Sequence, residues 1–263
     1  MEPTEPEIKA DIDLLDQYTM AMYEGMQQKL EAAKCLRQLA RDPSNLEVMC
    51  AEVSLQNVLA RELKENYQKS TDLNIILCQI YAEFAQFVQM QGLLLTKNIG
   101  SLVLQIARME IDRYNKRYDT MSSYKKRAEK SKQEGDISSY NNFRGKFMIW
   151  VRKHEKLCQI CFQVLLNLAD DRRTESKMVA KDIVKMLVAV VIREKVRNPN
   201  LLIACLDFLK RLSIVQVVYV YGLCRCVRYV HADYDIMVQD NKDVMLQNDV
   251  SLVEHFTFHN LII

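Results

Sequence analysis

Few residues in this sequence are placed to do covalent or metal chemistry. Cys158-Gln-Ile-Cys161 has the CxxC spacing of redox and zinc motifs. A zinc site needs a second pair at matching spacing, and a dithiol motif needs a strand-to-helix context. Neither is present, and Cys161 falls on an apolar seam, so the pair reads as core packing. Cys224-Arg-Cys226 with His231 offers three possible metal ligands, but in a stretch without helical period. The four histidines stand at 154, 231, 255 and 259. His154 shares the seam with Trp150, which suits a packed amphipathic ring better than a general base. The six glycines are scattered and cradle no phosphate. No carboxylate pair stands out from helix-surface charge. The expectation is a non-enzyme with no cofactor and no metal, whose function is recognition.

Two sets of residues are candidates for that recognition. The first is basic. From Arg108 to Lys156, 14 Lys and Arg stand against 7 Asp and Glu, a net of +7 that leaves the rest of the chain at −5 within a total of +2. Lys125-Lys126-Arg127 is the densest point. Such a stretch docks an acidic tail or an acidic surface such as tubulin, or it is a solvated helix face whose lysine stems cover apolar surface. The second set, Gln38, Glu83, Asn167 and Arg211, becomes visible only once the elements that position it are laid out.

Those elements are helices. Nearly half of the 263 residues are hydrophobic and about a quarter are charged, which is globular composition. There are only four prolines, and none lies between Pro43 and Pro199. Proline removes a helix donor and glycine weakens helix interiors, so a chain this poor in both predicts stacked helices. The acidic N-terminus, Met1-Glu-Pro-Thr-Glu-Pro-Glu, has no apolar core of a signal peptide. The longest apolar run, around Leu212 to Cys226, is broken by Ser213, Gln216 and Arg225, which predicts no membrane insertion. Eight cysteines without a secretion signal predict reduced thiols in the cytoplasm. A net charge near zero gives no reason to expect nucleic acid as a partner.

The helices repeat. Leu36, Leu39, Ala40 and Asp42 superpose on Leu165, Leu168, Ala169 and Asp171, and the register holds without a gap through Met49 on Met178 and Ala60 on Ala189. Phe84-Ala85 and Leu212-Ser213 take the Leu39-Ala40 place twice more, and Ile99 and Val103 match Ile183 and Leu187. A helical period of about 40–47 residues is the pattern of armadillo and HEAT arrays. Each unit predicts a helix ending at the marker pair, a polar turn, a short helix and a longer one. Pro199 sits where the first residue of the last long helix belongs. The residue before each marker is Gln38, Glu83, Asn167 or Arg211, and in an armadillo array it faces the concave groove. Only Asn167 is the asparagine that peptide-binding arrays use, and with Trp150 the sole tryptophan there is no tryptophan ladder.

The gap between the second and third markers is one period plus about 40 residues. Within it, Ile111, Tyr114, Tyr118 and Met121 step by 3 and 4, as do Phe143, Phe147, Trp150, His154, Leu157 and Cys161. This predicts an antiparallel helical hairpin turning at Gln133–Ser139, where Gly135 would stop one helix and Asp or Ser would cap the next. The organisation expected is a tail and lead-in helix over 1–23, armadillo-type repeats over 24–214 with the basic hairpin inserted at about 108–156, an anomalous insertion over 215–238, and a fragment of a further repeat over 239–263. The fold class is all-α, a right-handed armadillo-type α-solenoid. Residues 215–238 are rich in Val, Tyr and Cys and read as non-native sequence such as translated intron, or as a lineage-specific loop.

The run Glu31-Ala-Ala-Lys-Cys-Leu-Arg-Gln-Leu-Ala-Arg-Asp-Pro-Ser-Asn-Leu46 resembles the first armadillo repeat of the kinesin-associated proteins. These are the non-motor subunits of heterotrimeric kinesin-2. Phe162 to Met178 is similar to a later repeat, and so are Phe208 to Ile214 and Asn241 to Val250. The resemblance implies an adaptor that binds kinesin-2 motor subunits through their tail region. It would join them to cargo or adaptor proteins for microtubule-based and intraflagellar transport, in cytoplasm, on the microtubule cytoskeleton and in cilia. The alternative is a generic armadillo peptide-binding scaffold of the nuclear-transport or junctional type. The resemblance also implies a longer protein, of which this chain is part. An array cut within a repeat would be marginally stable or self-associating. Motor-tail docking in a hydrophobic groove would depend little on salt, and docking on the basic hairpin would depend on it steeply.

Overall fold

The computed structural model describes residues 10–169, 172–193 and 198–213. The expectations for residues 215–238 and 239–263, including Cys224, Cys226 and His231, lie outside the described residues. Within them the protein is all-helical and no strand occurs. After a 3-10 turn at Ile12–Leu14 come α1 (Leu15–Ala21), α2 (Met26–Ala40), α3 (Pro43–Ala51) and α4 (Val53–Asn66). Then follow α5 (Thr71–Ala85), α6 (Val88–Thr96), α7 (Ile99–Ser131) and α8 (Glu134–Leu168). The last three are α9 (Arg172–Ala180), α10 (Ile183–Val191) and α11 (Pro199–Ser213). Among the described residues no helix is long and apolar enough to cross a membrane.

Local chemistry sets the helix ends. The Asp42 carboxylate accepts the Ser44 amide at 3.0 Å, with Pro43 as the first residue of α3. Ser70 Oγ accepts the Leu73 amide at 3.2 Å and starts α5. Asn198 Oδ1 accepts the Asn200 amide at 3.0 Å, which places Pro199 first in α11 as its sequence position predicts. In the second and third units the step from short to third helix is made by a left-handed residue, Asn98 (φ 57°) before α7 and Asp182 (φ 62°) before α10, whereas Glu52 before α4 is extended (φ −78°). Asn and Asp tolerate that region better than other residues with a side chain. The equivalence of Ile99 and Ile183 in the sequence is thus matched by one turn conformation used twice.

The helices that end at the marker pairs, α2, α5, α8 and α11, pack side by side in chain order. The third helices stack behind them, α4 on α7 and α7 on α10. This is an α-solenoid, with a continuous core from Leu15 to Leu212 between the two layers. The markers themselves are buried: Leu39 and Ala40, Phe84 and Ala85, Leu168 and Ala169, and Leu212. Because each unit buries its apolar face only against its neighbour, the repeat spacing and the core are one fact. One element departs from the expected lengths: α10 has 9 residues, no more than the short α9 before it.

Helices α7 and α8, of 33 and 35 residues, pair along their length. The rings that meet are Tyr114 with Phe147 and Tyr124 with Phe143, at 5.8 and 5.3 Å between centroids, so the helices run antiparallel. The chain reverses at Lys132 and Gln133, earlier than the sequence suggests. Lys132 takes the left-handed conformation (φ 52°) and closes α7, and Gly135 lies inside the first turn of α8. Ser131 Oγ donates to Asp136 at 2.7 Å, and Arg127 pairs with Asp136 at 2.9 Å. These bonds tie the reversal together, so no glycine stop is needed.

Candidate functional site

The concave side of the solenoid is lined by the exposed faces of α2, α5, α8 and α11. They enclose an open groove of about 780 Å³. Its walls carry Arg37 and Arg41 from α2 and its C-cap, Gln79, Glu83 and Gln86 from α5 and its C-cap, Lys156, Gln159, Gln163 and Asn167 on α8, and Asn200 and Asp207 on α11. An adjoining depression of about 470 Å³ shares Asn167 and Asp207 and adds Gln91, Lys210 and Arg211. The reason is the helix period. On α8 the residues Lys156, Ile160, Gln163 and Asn167 step by 4, 3 and 4, and so lie on one face. Leu157, Cys161 and Leu168 fall on the opposite face, in the core.

The groove is lined mainly by polar side chains, where a hydrophobic docking groove was the expectation. Its apolar contribution is confined to a few residues, among them Ala82, Ile160, Ile203 and Ala204. Arg37 Nη1 donates to Gln79 Oε1 at 3.0 Å, and Asn198 Nδ2 donates to Gln159 Oε1 at 2.9 Å. A side-chain amide offers one acceptor and two donors, which is what an extended polypeptide backbone presents in return.

Of the four residues singled out from the repeats, the structure brings three to this surface. Glu83 lines the larger groove and accepts from Gln86 at 3.0 Å. Asn167 lies where the two depressions meet; Gln91 holds its backbone carbonyl at 3.2 Å, and among the described residues its side-chain amide makes no hydrogen bond. Arg211 lines the smaller depression and pairs with Glu175 at 3.4 Å. Gln38 is half-buried and lines neither. Arg37, Gln79, Gln159 and Gln163 were not singled out from the sequence. Their signal was an i, i+4 polar stripe opposite the marker leucines.

Lys125, Lys126 and Arg127 stand near the far end of the hairpin, all exposed. Lys125 lies 3.8 Å from Glu129, and Arg127 is the partner of Asp136. They are remote in sequence and in packing from the groove residues, so the two candidate sets do not form one site.

At the base of the hairpin the seam turns polar. Glu110 on α7 and His154 on α8 are fully buried, with His154 Nδ1 at 3.4 Å from Glu110 Oε2. Arg113 holds the other oxygen at 2.6 Å. Arg193, just after α10, places Nη1 at 2.9 Å from His154 Nε2 and its guanidinium 3.7 Å over the Tyr114 ring. Arginine has only donors, so Nε2 must accept and the ring proton sits on Nδ1, facing Glu110. The imidazole is therefore neutral, stacked between Trp150 and Tyr114 at 4.9 and 5.3 Å. Burial lowers the His154 pKa, and the Arg193 charge adds to this against the opposing Glu110. Burial pushes Glu110 the other way, but the bonds from His154 and Arg113 outweigh it and its pKa is lowered. Helix α7, helix α8 and the segment just after α10 are thus joined by one buried relay, which structures the hairpin base.

Cys158 and Cys161 are core residues, as the seam position of Cys161 implies. Both are fully buried. Burial pushes the Cys158 thiol up to about 12, and the Cys78 thiol beside Cys161, together with burial, raises that group well above the usual range. Thiols held this way are poor nucleophiles. Among the described residues no three of His, Cys, Asp and Glu converge as metal ligands do.

The model of the kinesin-associated protein (KAP) family matches residues 1–226. The match covers every described element and runs past the start of the 215–238 stretch. No solved structure matches the chain.

Proposed function

The chain belongs to the kinesin-associated protein (KAP) family, and on that premise we propose that it is a non-enzymatic adaptor whose concave groove holds an extended segment of a kinesin-2 motor tail. The observation that carries this reading is the groove itself. Four helix faces in register present side-chain amides and alternating charges along one channel, with Asn167 at its junction. Such a surface matches a polypeptide backbone and does not enclose a small molecule. The opposite side of the adaptor, or the hairpin, is then free for cargo or for adaptor proteins. Membership in the family supports work with kinesin and, with it, on microtubules; transport in cilia, with the intraflagellar machinery, is the finer form of the same proposal. Nothing in the groove calls for a cofactor.

Co-elution of this chain with a purified kinesin-2 motor-tail heterodimer on size exclusion tests the reading. A complex is expected at low salt, weakened but present at moderate salt, because the groove pairs by hydrogen bonds and partial charges. Glu83→Lys with Asn167→Ala should abolish it. A folded chain that gives no complex at micromolar concentration, or one that the double variant leaves intact, would put the motor site elsewhere.

A further inference from the structure

We propose that the outer face of α8, from Gly145 to Lys156, is a docking strip for an acidic amphipathic α-helix of a partner protein. The strip stands on the residues of α8 and does not require the motor-tail reading of the groove. Gly145, Ile149, Arg152 and Lys156 step by 4, 3 and 4, so they share one helix face. Phe143, Phe147, Trp150 and His154 occupy the opposite face, against α7. The strip is therefore turned away from the hairpin partner. By the same period it continues into Gln163 and Asn167, so it lies on the groove side of the helix and extends that surface beyond the solenoid body.

Two features of the strip have no use among the described residues. Ile149 is 67% exposed, a β-branched apolar side chain standing in solvent near the middle of a 35-residue helix. Gly145 lies one turn before it, in the helix interior, where glycine weakens the helix. Among the described residues no atom stands within 4 Å of where its Cβ would be, so none of them asks for a glycine there. A gap beside a ridge is the relief that helix-on-helix packing uses, with a partner side chain entering over the glycine and Ile149 entering the facing groove.

The charge says what kind of helix fits. Between Ile137 and Leu168, α8 carries Arg144, Lys146, Arg152, Lys153 and Lys156 and one acid, Glu155, which is 3% exposed. Lys153 is engaged by Asp72 of α5 at 2.8 Å. The other four basic residues lie on or beside the strip and are exposed, with no exposed acid on this helix stretch to answer them. The matching surface is a helix with carboxylates flanking an apolar stripe. An extended strand fits less well, because it needs hydrogen-bonding groups along its length, and the side-chain amides lie farther along α8, in the groove.

The test uses the full chain and a labelled synthetic helix with leucine at the a and d positions and glutamate elsewhere, with polyglutamate of equal length for comparison. Fluorescence anisotropy should show binding of the amphipathic helix and markedly weaker binding of polyglutamate. Gly145→Leu fills the gap and Ile149→Asp removes the ridge; each should weaken binding about tenfold or more. Lys125→Ala, at the far end of the hairpin, should leave it within about twofold. Circular dichroism is expected to be unchanged, and the Gly145→Leu melting temperature equal or higher, which separates lost docking from lost folding. Failure of the helix to bind, equal binding of polyglutamate, or variants that bind like the native chain would each overturn the proposal. Self-association of the chain that these variants abolish would make the occupant a second copy, and would overturn it too.

Discussion

The solenoid body and the hairpin are built from the same kind of helix but held by different means. The body has a core contributed by all its layers, with Leu36, Leu77, Phe84, Phe162 and Phe208 fully buried. The hairpin beyond its base has three buried residues of its own seam, Tyr114, Phe147 and Val151, with rings such as Tyr118 and Phe143 leaning on them. Past that seam, Ala128 alone is buried. Hydrophobic stabilisation follows the apolar area removed from water, so the body is a cooperative unit and the hairpin is a lightly stitched extension of it. Most of the excess positive charge sits on the weaker part. The lesson is that stability and surface chemistry are assigned to different regions, which leaves the hairpin surface open to partners.

Four perturbations break or sharpen that contrast, and the largest belongs to the body. Phe162→Ala leaves a cavity where α8 meets the core and should lower stability by about 3–5 kcal/mol, seen as a global shift of the urea midpoint. Phe147→Ala removes the main buried ring of the hairpin seam and should cost about 2 kcal/mol. Its signature is local. Amide exchange should accelerate over residues 115–146 and change little in α2 and α5; uniform acceleration would mean that body and hairpin unfold as one.

The third concerns the relay between them. His154 is neutral in the fold and its pKa is lowered from the ordinary 6.5. The unfolded chain therefore takes up a proton that the folded chain refuses, and stability falls as pH drops below about 6.5. Glu110, also lowered, adds its loss only at more acid pH. His154→Gln should flatten the dependence of melting temperature on pH between about 7.5 and 5.5. An unchanged slope would show that His154 takes up its proton equally well in the folded and the unfolded chain. The smallest effect is a gain. Gly145→Ala places a methyl in open space on an exposed helix and should stabilise by about 0.5–1 kcal/mol, read as a higher melting temperature of the hairpin.

Much of the fold was legible because its signals are local and periodic. The marker pairs at 39, 84, 168 and 212 name the ends of four helices, and Pro43 and Pro199 name the starts of two. Asn98 and Asp182 were not anticipated as turn residues, because a positive φ leaves no periodic trace. The chain reversal was misplaced for the same reason: Gly135 is the conspicuous residue, but Lys132 adopts the left-handed conformation. The candidate groove was half legible. Glu83, Asn167 and Arg211 reach it, but the glutamines between them carry no motif and count only because neighbouring helices align them.

Sequence alone determined the helical class, the repeat, the burial of Cys158 and Cys161, and the kinship, since each rests on spacing along one chain. Tertiary structure decided that the groove is polar, that Gln38 stays out of it, and that Glu110, His154 and Arg193 meet at the hairpin base. The physical reason is the same in each case. Spacing fixes which residues share a helix face, but only the packing of one helix on another fixes which face remains open and which charges are enclosed together.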